Sequence, residues 1–147
     1  MKFFSSLAMS AMLATTAFAQ SAVIGAPLAG SAVQAGCNIT VEVDRPNTLT
    51  GSTEVGIVIG FLSCVGFNSN VCPPASEIMG SILYNGPYHP EFHTNVSRSK
   101  PPHQNFTVAI PTTAKTGPGQ LSVAHFNLIG AGQFPFLETL NISVNVS

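Results

Sequence analysis

CNITVEVD, residues 37–44, sets Ile39, Val41 and Val43 against Thr40 and Glu42 at every second position. The closing LNISVNVS repeats the rule with Leu140, Ile142, Val144 and Val146. A period of two is the signature of a strand with one buried face. EVGIVIGFLS, residues 54–63, is nearly all apolar, as a central strand covered on both faces should be. Its phase predicts Val55, Ile57, Ile59 and Phe61 on one buried face and Val58 and Leu62 on the other. Gly56 and Gly60 leave room for a close neighbour or a bulge. EIMGSILY, NFTVAI, QLSVAHFNLIG and LETLNISVNVS complete the series, with Pro46, Pro87, Pro111 and Pro118 in the gaps, where the missing N–H does no harm. No stretch carries a helical period with caps. Six or seven short strands in about 110 residues predict an all-β fold, a single antiparallel β-sandwich of immunoglobulin-like architecture with about seven strands. Tryptophan is absent, and with it the Cys…Trp…Cys spacing of antibody domains. Residues 37–147 form the expected domain; residues 20–36 read as a flexible lead or an edge strand.

The first 19 residues read as a secretory signal peptide. Lys2 supplies the charge, Phe3 to Phe18 an apolar run, and Ala17-Phe18-Ala19 the small residues of a cleavage site. The run is too short for a membrane span, which needs roughly 20 apolar residues. The C-terminal NISVNVS has no spacer and apolar tail of a lipid-anchor signal. A soluble, extracellular mature chain of about 128 residues is expected, enough for one core. Charged residues make up only 7% of the sequence. Beyond Lys2, the four basic residues Arg45, Arg98, Lys100 and Lys115 face six acidic ones. No basic footprint exists for nucleic acid or an anionic membrane.

Solubility must then rest on hydroxyls, amides and attached sugar. Asn38, Asn95, Asn105 and Asn141 head N-x-S/T triplets and are candidate glycosylation sites; Asn145 heads a fifth, close to the end. Three cysteines allow at most one internal disulfide. Cys64 and Cys72 bracket the polar loop VGFNSNV and are the favoured pair, leaving Cys37 as a buried thiol or an intermolecular partner. Pairing of Cys37 with Cys64 is the alternative. No C-x-x-C spacing speaks for zinc.

Candidate chemistry is sparse. In YHPEFH, His89, Glu91 and His93 stand two apart, and on an extended strand they would point one way toward a metal. Pro90 and the adjacent Gly86-Pro87 argue instead for an irregular loop. A copper site of the histidine-brace type would need histidine at the mature N-terminus, where Gln20 stands. His103 and His125 could act as bases, yet no serine sits in a G-x-S-x-G turn, and Glu54, Glu77 and Glu138 show no spacing logic. His125 shares a strand face with Leu121, Val123 and Asn127, which reads as a core-edge histidine bonded to a loop carbonyl. No enzyme and no cofactor are expected.

DRPNTLTGSTEVGIVIGFLSC, GSILYNGPYHPEFH, KPPHQNFTVAIP, LSVAHFNLIGAG and PFLETLNISVNV together resemble the necrosis-inducing secreted protein family of small fungal effectors. The likeness runs in order from about residue 31 to residue 147. It implies a secreted β-sandwich without known catalysis. Members provoke plant cell death and suppress pattern-triggered immunity by engaging receptor-associated kinases. A host plant protein is therefore the implied partner. The irregular stretch from Asn85 to His103 is the expected contact surface, with Tyr88, Phe92 and Arg98 as candidate anchors. The alternative reading is a wall-associated or polysaccharide-binding module that would stack sugars on Tyr84, Tyr88, Phe92 and Phe134.

Overall fold

A computed structural model describes residues 21–94 and 100–147; the expected signal peptide, Asn95 and Arg98 lie outside them. The described residues form eight strands: β1 (Val23–Ala26), β2 (Ala32–Val33), β3 (Asn38–Asp44), β4 (Ser52–Ser63), β5 (Ser81–Gly86), β6 (His103–Ala109), β7 (Gly117–Ile129) and β8 (Phe134–Val146). The protein is all-β, with two sheets. One sheet has the order β1-β3-β6 and the other β2-β8-β7-β4-β5.

Not every pair is antiparallel. Residues 21–36, the described part of the expected lead, supply an edge strand to each sheet, crossing between them at the turn after Pro27. The chain re-enters beside β8 in the same direction, so Ala32 and Val33 pair parallel with Asn145 and Val146. The other ladders are antiparallel, the longest being the β7–β8 hairpin, in register from Gly117↔Val146 to Ile129↔Phe134. Its turn requires left-handed backbone, which Gly130 (φ 69°) adopts without a Cβ penalty.

Alternating side chains from both sheets meet in one core. Val41, Val43, Phe106 and Val108 come from the three-stranded sheet; Ile57, Ile59, Phe61, Leu121, Val123, Val144 and Val146 come from the other. Two local readings of the sequence are corrected. Residues 77–80 are not strand: Glu77 and Ile78 donate to the Pro74 carbonyl in a turn, and Gly80 is left-handed (φ 75°). Val55 is not in the core but 47% exposed. The β4–β7 register shifts between Glu54 and Gly56. A bulge of this kind inserts one extra residue and flips the phase on either side. Upstream of it, Glu54 rather than Val55 therefore falls on the inward face. Asn105 lies inside β6, where Thr107 is paired with Thr40.

Cys64 and Cys72 are disulfide-bonded, with Cα atoms 4.9 Å apart. The segment that follows the bridge meets the outer face of the five-stranded sheet, where Gln120 Nε2 donates to the Pro73 carbonyl at 3.2 Å. Gly60 is required there, because a methyl group would collide with the Met79 carbonyl. Cys37 is exposed, correcting the expectation of a buried thiol, and its Sγ lies 3.4 Å from Gln34 Oε1.

The bulge separates two neighbouring apolar positions. Ile57→Ala should cost about 2–5 kcal/mol, as large-to-small core changes do, whereas Val55→Ala should stay within about 0.5 kcal/mol, as for an exposed site. Urea midpoints of the two variants check this; equal losses would place Val55 in the core and remove the bulge.

Candidate functional site

The inward face of β7 continues past Val123 to His125 and Asn127, both fully buried. A neutral histidine there would need one acceptor. The fold supplies two carboxylates. Nδ1–H donates to Glu138 Oε1 at 2.9 Å, and Nε2–H donates to Glu54 Oε2. Glu138 is the register partner of His125 on β8 and is inward by the strand's own period. Glu54 reaches the imidazole only because of the bulge at Val55.

The network continues outward. Arg45, just past β3, donates from Nε to Glu54 Oε1 at 3.0 Å, from Nη2 to Ser52 Oγ at 2.8 Å and from Nη1 to the Pro46 carbonyl at 3.2 Å. Ser52 donates to the same Glu54 oxygen at 2.8 Å. At the other end, the Ala22 amide donates to Glu138 Oε1 at 2.8 Å. Tyr88 covers the centre, its ring edge-on to His125 at 5.3 Å and its hydroxyl donating to the Val43 carbonyl at 3.1 Å. Charges alternate along Arg45, Glu54, His125 and Glu138, so each buried ion has an opposite neighbour.

Burial alone would lower the His125 pKa, but hydrogen bonds to Glu138 and Glu54 outweigh it and raise the value above 6.5. Burial alone would raise Glu54, but bonds from His125, Ser52 and Arg45 bring it below 4.5. Burial, reinforced by Glu54, pushes the Tyr88 hydroxyl well up. Both nitrogens of His125 are engaged and the ring is sealed, so this group offers no lone pair to a substrate. The arrangement is a cross-link between strands.

Above Arg45, Glu54 and Tyr88 opens a cleft of about 700 Å³, walled by loop 46–51 and by residues 88–91. Leu49, within the first of these, and Phe92, directly after the second, are exposed. Phe92 is thus a surface residue, while Tyr88 is not: it is 1% exposed, packed against Phe106 and His125, which corrects its reading as a contact anchor. Arg98, the third anchor, falls outside the described residues. The stretch around His89, Glu91 and His93 is tied to the start of β6. The His89 amide donates to Gln104 Oε1 at 2.6 Å, and Glu91 exchanges backbone bonds with His103. The His93 ring packs against that of His103, centroids 4.4 Å apart and planes tilted by 44°, and His103 Nδ1–H donates to the Pro101 carbonyl at 3.0 Å. No group of three His, Cys, Asp or Glu able to hold a metal forms among the described residues.

Sequence reasoning missed Arg45 and the two glutamates, and it assigned His125 a carbonyl partner where the structure has carboxylates. Glu138 carried a signal: it is in phase with Leu140, Ile142 and Val144, an unusual place for a charge. Glu54 carried none, being out of phase until the bulge is known.

These features define a small, disulfide-closed, two-sheet β protein with an ion-paired interior. The chain belongs to the Nis1 family, whose model matches residues 17–145, and the family's name points to necrosis-inducing secreted effectors. A search of curated proteins returns no match.

The network makes stability depend on pH in a defined way. The raised His125 contributes fully below about 6.5 and loses its contribution as pH rises through its folded value; the lowered Glu54 contributes fully above about 4.5 and loses it as pH falls through its folded value. Urea midpoints should therefore peak between about pH 4.5 and 6.5 and fall on both sides. His125→Ala, which orphans two buried carboxylates, should cost about 3–5 kcal/mol and abolish the alkaline limb. A flat pH profile in the unaltered protein would refute this account.

Proposed function

We propose that this protein is a secreted fungal effector that provokes plant cell death and suppresses pattern-triggered immunity by binding a host protein, with receptor-associated kinases as the target class. Membership of the Nis1 family supports the effector reading, and the disulfide is consistent with an oxidising, extracellular destination. We read the two sheets as an immunoglobulin-like sandwich that presents loops at its ends. The protein acts by contact and carries no catalytic step. The observation that supports the contact surface is that exposed Leu49 lies within the loop that walls the cleft on one side, and exposed Phe92 directly follows the segment that walls it on the other. Apolar and aromatic anchors on a preorganised base lose little entropy on binding.

Sugar attached to the exposed Asn38, Asn105 and Asn141 would supplement the scarce surface charge. Their strand positions place each Asn and its hydroxyl partner outward together, while Ile39, Phe106 and Ile142 turn in. A polysaccharide-binding role is less well supported. Tyr84 packs against Phe106 at 4.7 Å and Tyr88 is buried, so neither offers a free ring face to a sugar.

Leu49→Ala combined with Phe92→Ala should leave the melting temperature unchanged but remove cell death and suppression of the oxidative burst in infiltrated leaves. His89→Ala with His93→Ala should retain both effects. If the first variant keeps full activity, the surface lies elsewhere; if the histidine variant loses activity together with a bound metal, a metal-dependent function replaces this one.

A further inference from the structure

The β7–β8 hairpin carries apolar side chains past the end of the core. Its far end reads LIGAGQFPFL, residues 128–137, with Gln133 as the one polar side chain, and Gln133 Nε2 donates back to the Gly130 carbonyl at 3.0 Å. The inward phase of β8 continues past Glu138 to Phe136 and Phe134, and Phe134 overhangs the interior, 66% exposed. The opposite phase turns Pro135 and Leu137 to the outer face, where Leu137 pairs in register with Phe126 and is 68% exposed. The tip is thus apolar on both faces. Beside it stands fully exposed Leu49: the Gly130 amide donates to the Gly51 carbonyl at 2.9 Å, which holds loop 46–51 against the turn.

No Asp, Glu, Lys or Arg occurs in residues 46–53 or 126–137. The charges that bound these stretches, Arg45, Glu54 and Glu138, are turned inward and paired, Arg45 with Glu54 and Glu138 with His125. The register that builds the interior network therefore strips charge from this end of the molecule. Much of the backbone there is also satisfied. β7 and β8 pair without a shift as far as Ile129↔Phe134, and the Gln133 amide donates to the Gly130 carbonyl at 3.1 Å. A hairpin bonded in this way loses less on leaving water than an open loop would.

We propose that the tip of the β7–β8 hairpin, with Leu49 beside it, docks into the interface of a zwitterionic lipid bilayer. Exposed apolar clusters mark protein or membrane contacts, and the two-faced tip decides between them. A flat protein surface covers one face of a hairpin and leaves the other in water, whereas a fluid lipid interface surrounds both. The lack of free lysine and arginine at this end selects zwitterionic over anionic headgroups. Phe134 and Leu137 are about 10 Å apart along the strand, within reach of the roughly 5–10 Å that apolar groups penetrate. Asn141, the nearest N-x-S/T asparagine on the strand, stands about 14 Å further up, so sugar there stays on the water side. The host-protein reading is not needed for this docking, and the variants that test it leave Leu49 and Phe92 in place.

The sequence contains no tryptophan, so Phe134→Trp and Leu137→Trp each introduce a sole reporter, one on each face. The mature secreted variants are mixed with phosphatidylcholine vesicles, with and without bromine on the acyl chains. Both reporters should shift to the blue and be quenched by the brominated lipid, at low and high salt alike. Phe67→Trp, in the disulfide-closed loop at the other end of β4 and β7, should do neither. Phe134→Ser combined with Leu137→Ser should keep the disulfide and the melting temperature, yet bind vesicles roughly tenfold more weakly or worse in co-sedimentation. Unaltered protein that ignores phosphatidylcholine overturns the proposal, as does binding that requires anionic lipid or is lost at high salt. Quenching at only one of the two positions, or a serine variant that binds as before, overturns it equally. If the unaltered protein ignores vesicles while the serine variant loses its effect in leaves, the tip is a protein contact instead.

Discussion

The imidazole of His125, held between Glu54 and Glu138 in the interior, is the interaction on which the arrangement of strands depends. Taking each of these ions out of water costs several kcal/mol, and only close opposite charges with good hydrogen bonds offset that cost. The requirement propagates. Glu138 must face inward from β8, the Val55 bulge must turn Glu54 in from β4, and Arg45 must reach Glu54 and Ser52 from the end of β3. The Ala22 amide on Glu138 then ties down the N-terminal segment. One network thus links both sheets and sets the base on which the loops around the cleft stand.

The two outer faces differ in chemistry, and both differences follow from which residues the strands turn outward. On the three-stranded sheet, Glu42 is outward yet buried beneath Lys100, whose Nζ lies 2.6 Å from its carboxylate. Burial and the neighbouring Glu42 raise the pKa of Asp44 on the same face. Asn38, Asn105 and the Thr40–Thr107 pair complete a polar surface. The outer face of the five-stranded sheet has no charged strand residue among the described residues; it is apolar where β4 and β7 cross it and covered at one end by the segment that follows the disulfide. In a chain with so few charges, surface behaviour is governed by these faces and by the loops between them.

Much of the fold was legible because period-two alternation is local. β3, β4, β7 and β8 are found where that pattern places them, and the seven-residue polar loop between Cys64 and Cys72 suits a bridge. What was missed has specific causes. Tyr88, flanked by Pro87 and Pro90, reads as a loop residue on display, but the Val43 carbonyl and the Phe106 ring draw it inside, and neither is near in sequence. Val55 was assigned to the core because a bulge is invisible to a strict alternation rule. The parallel placement of β2 beside β8 depends on where the turn after Pro27 sends the chain, which no local pattern encodes.

The sequence by itself determined that this chain is a β protein with one disulfide, a weakly charged surface and N-x-S/T triplets aligned with its strands. These properties depend on residue type and nearest-neighbour spacing, where backbone geometry has little freedom. Tertiary structure alone decided that four charged side chains from four parts of the chain would converge in the interior. It also decided that Tyr88 would cover them, and that Phe92 would be left outside. Those outcomes depend on register and on one inserted residue in β4, and a shift of a single position exchanges the faces of a strand. The charge on His125 exists because the fold brings Glu54, 71 positions away in sequence, to its second nitrogen.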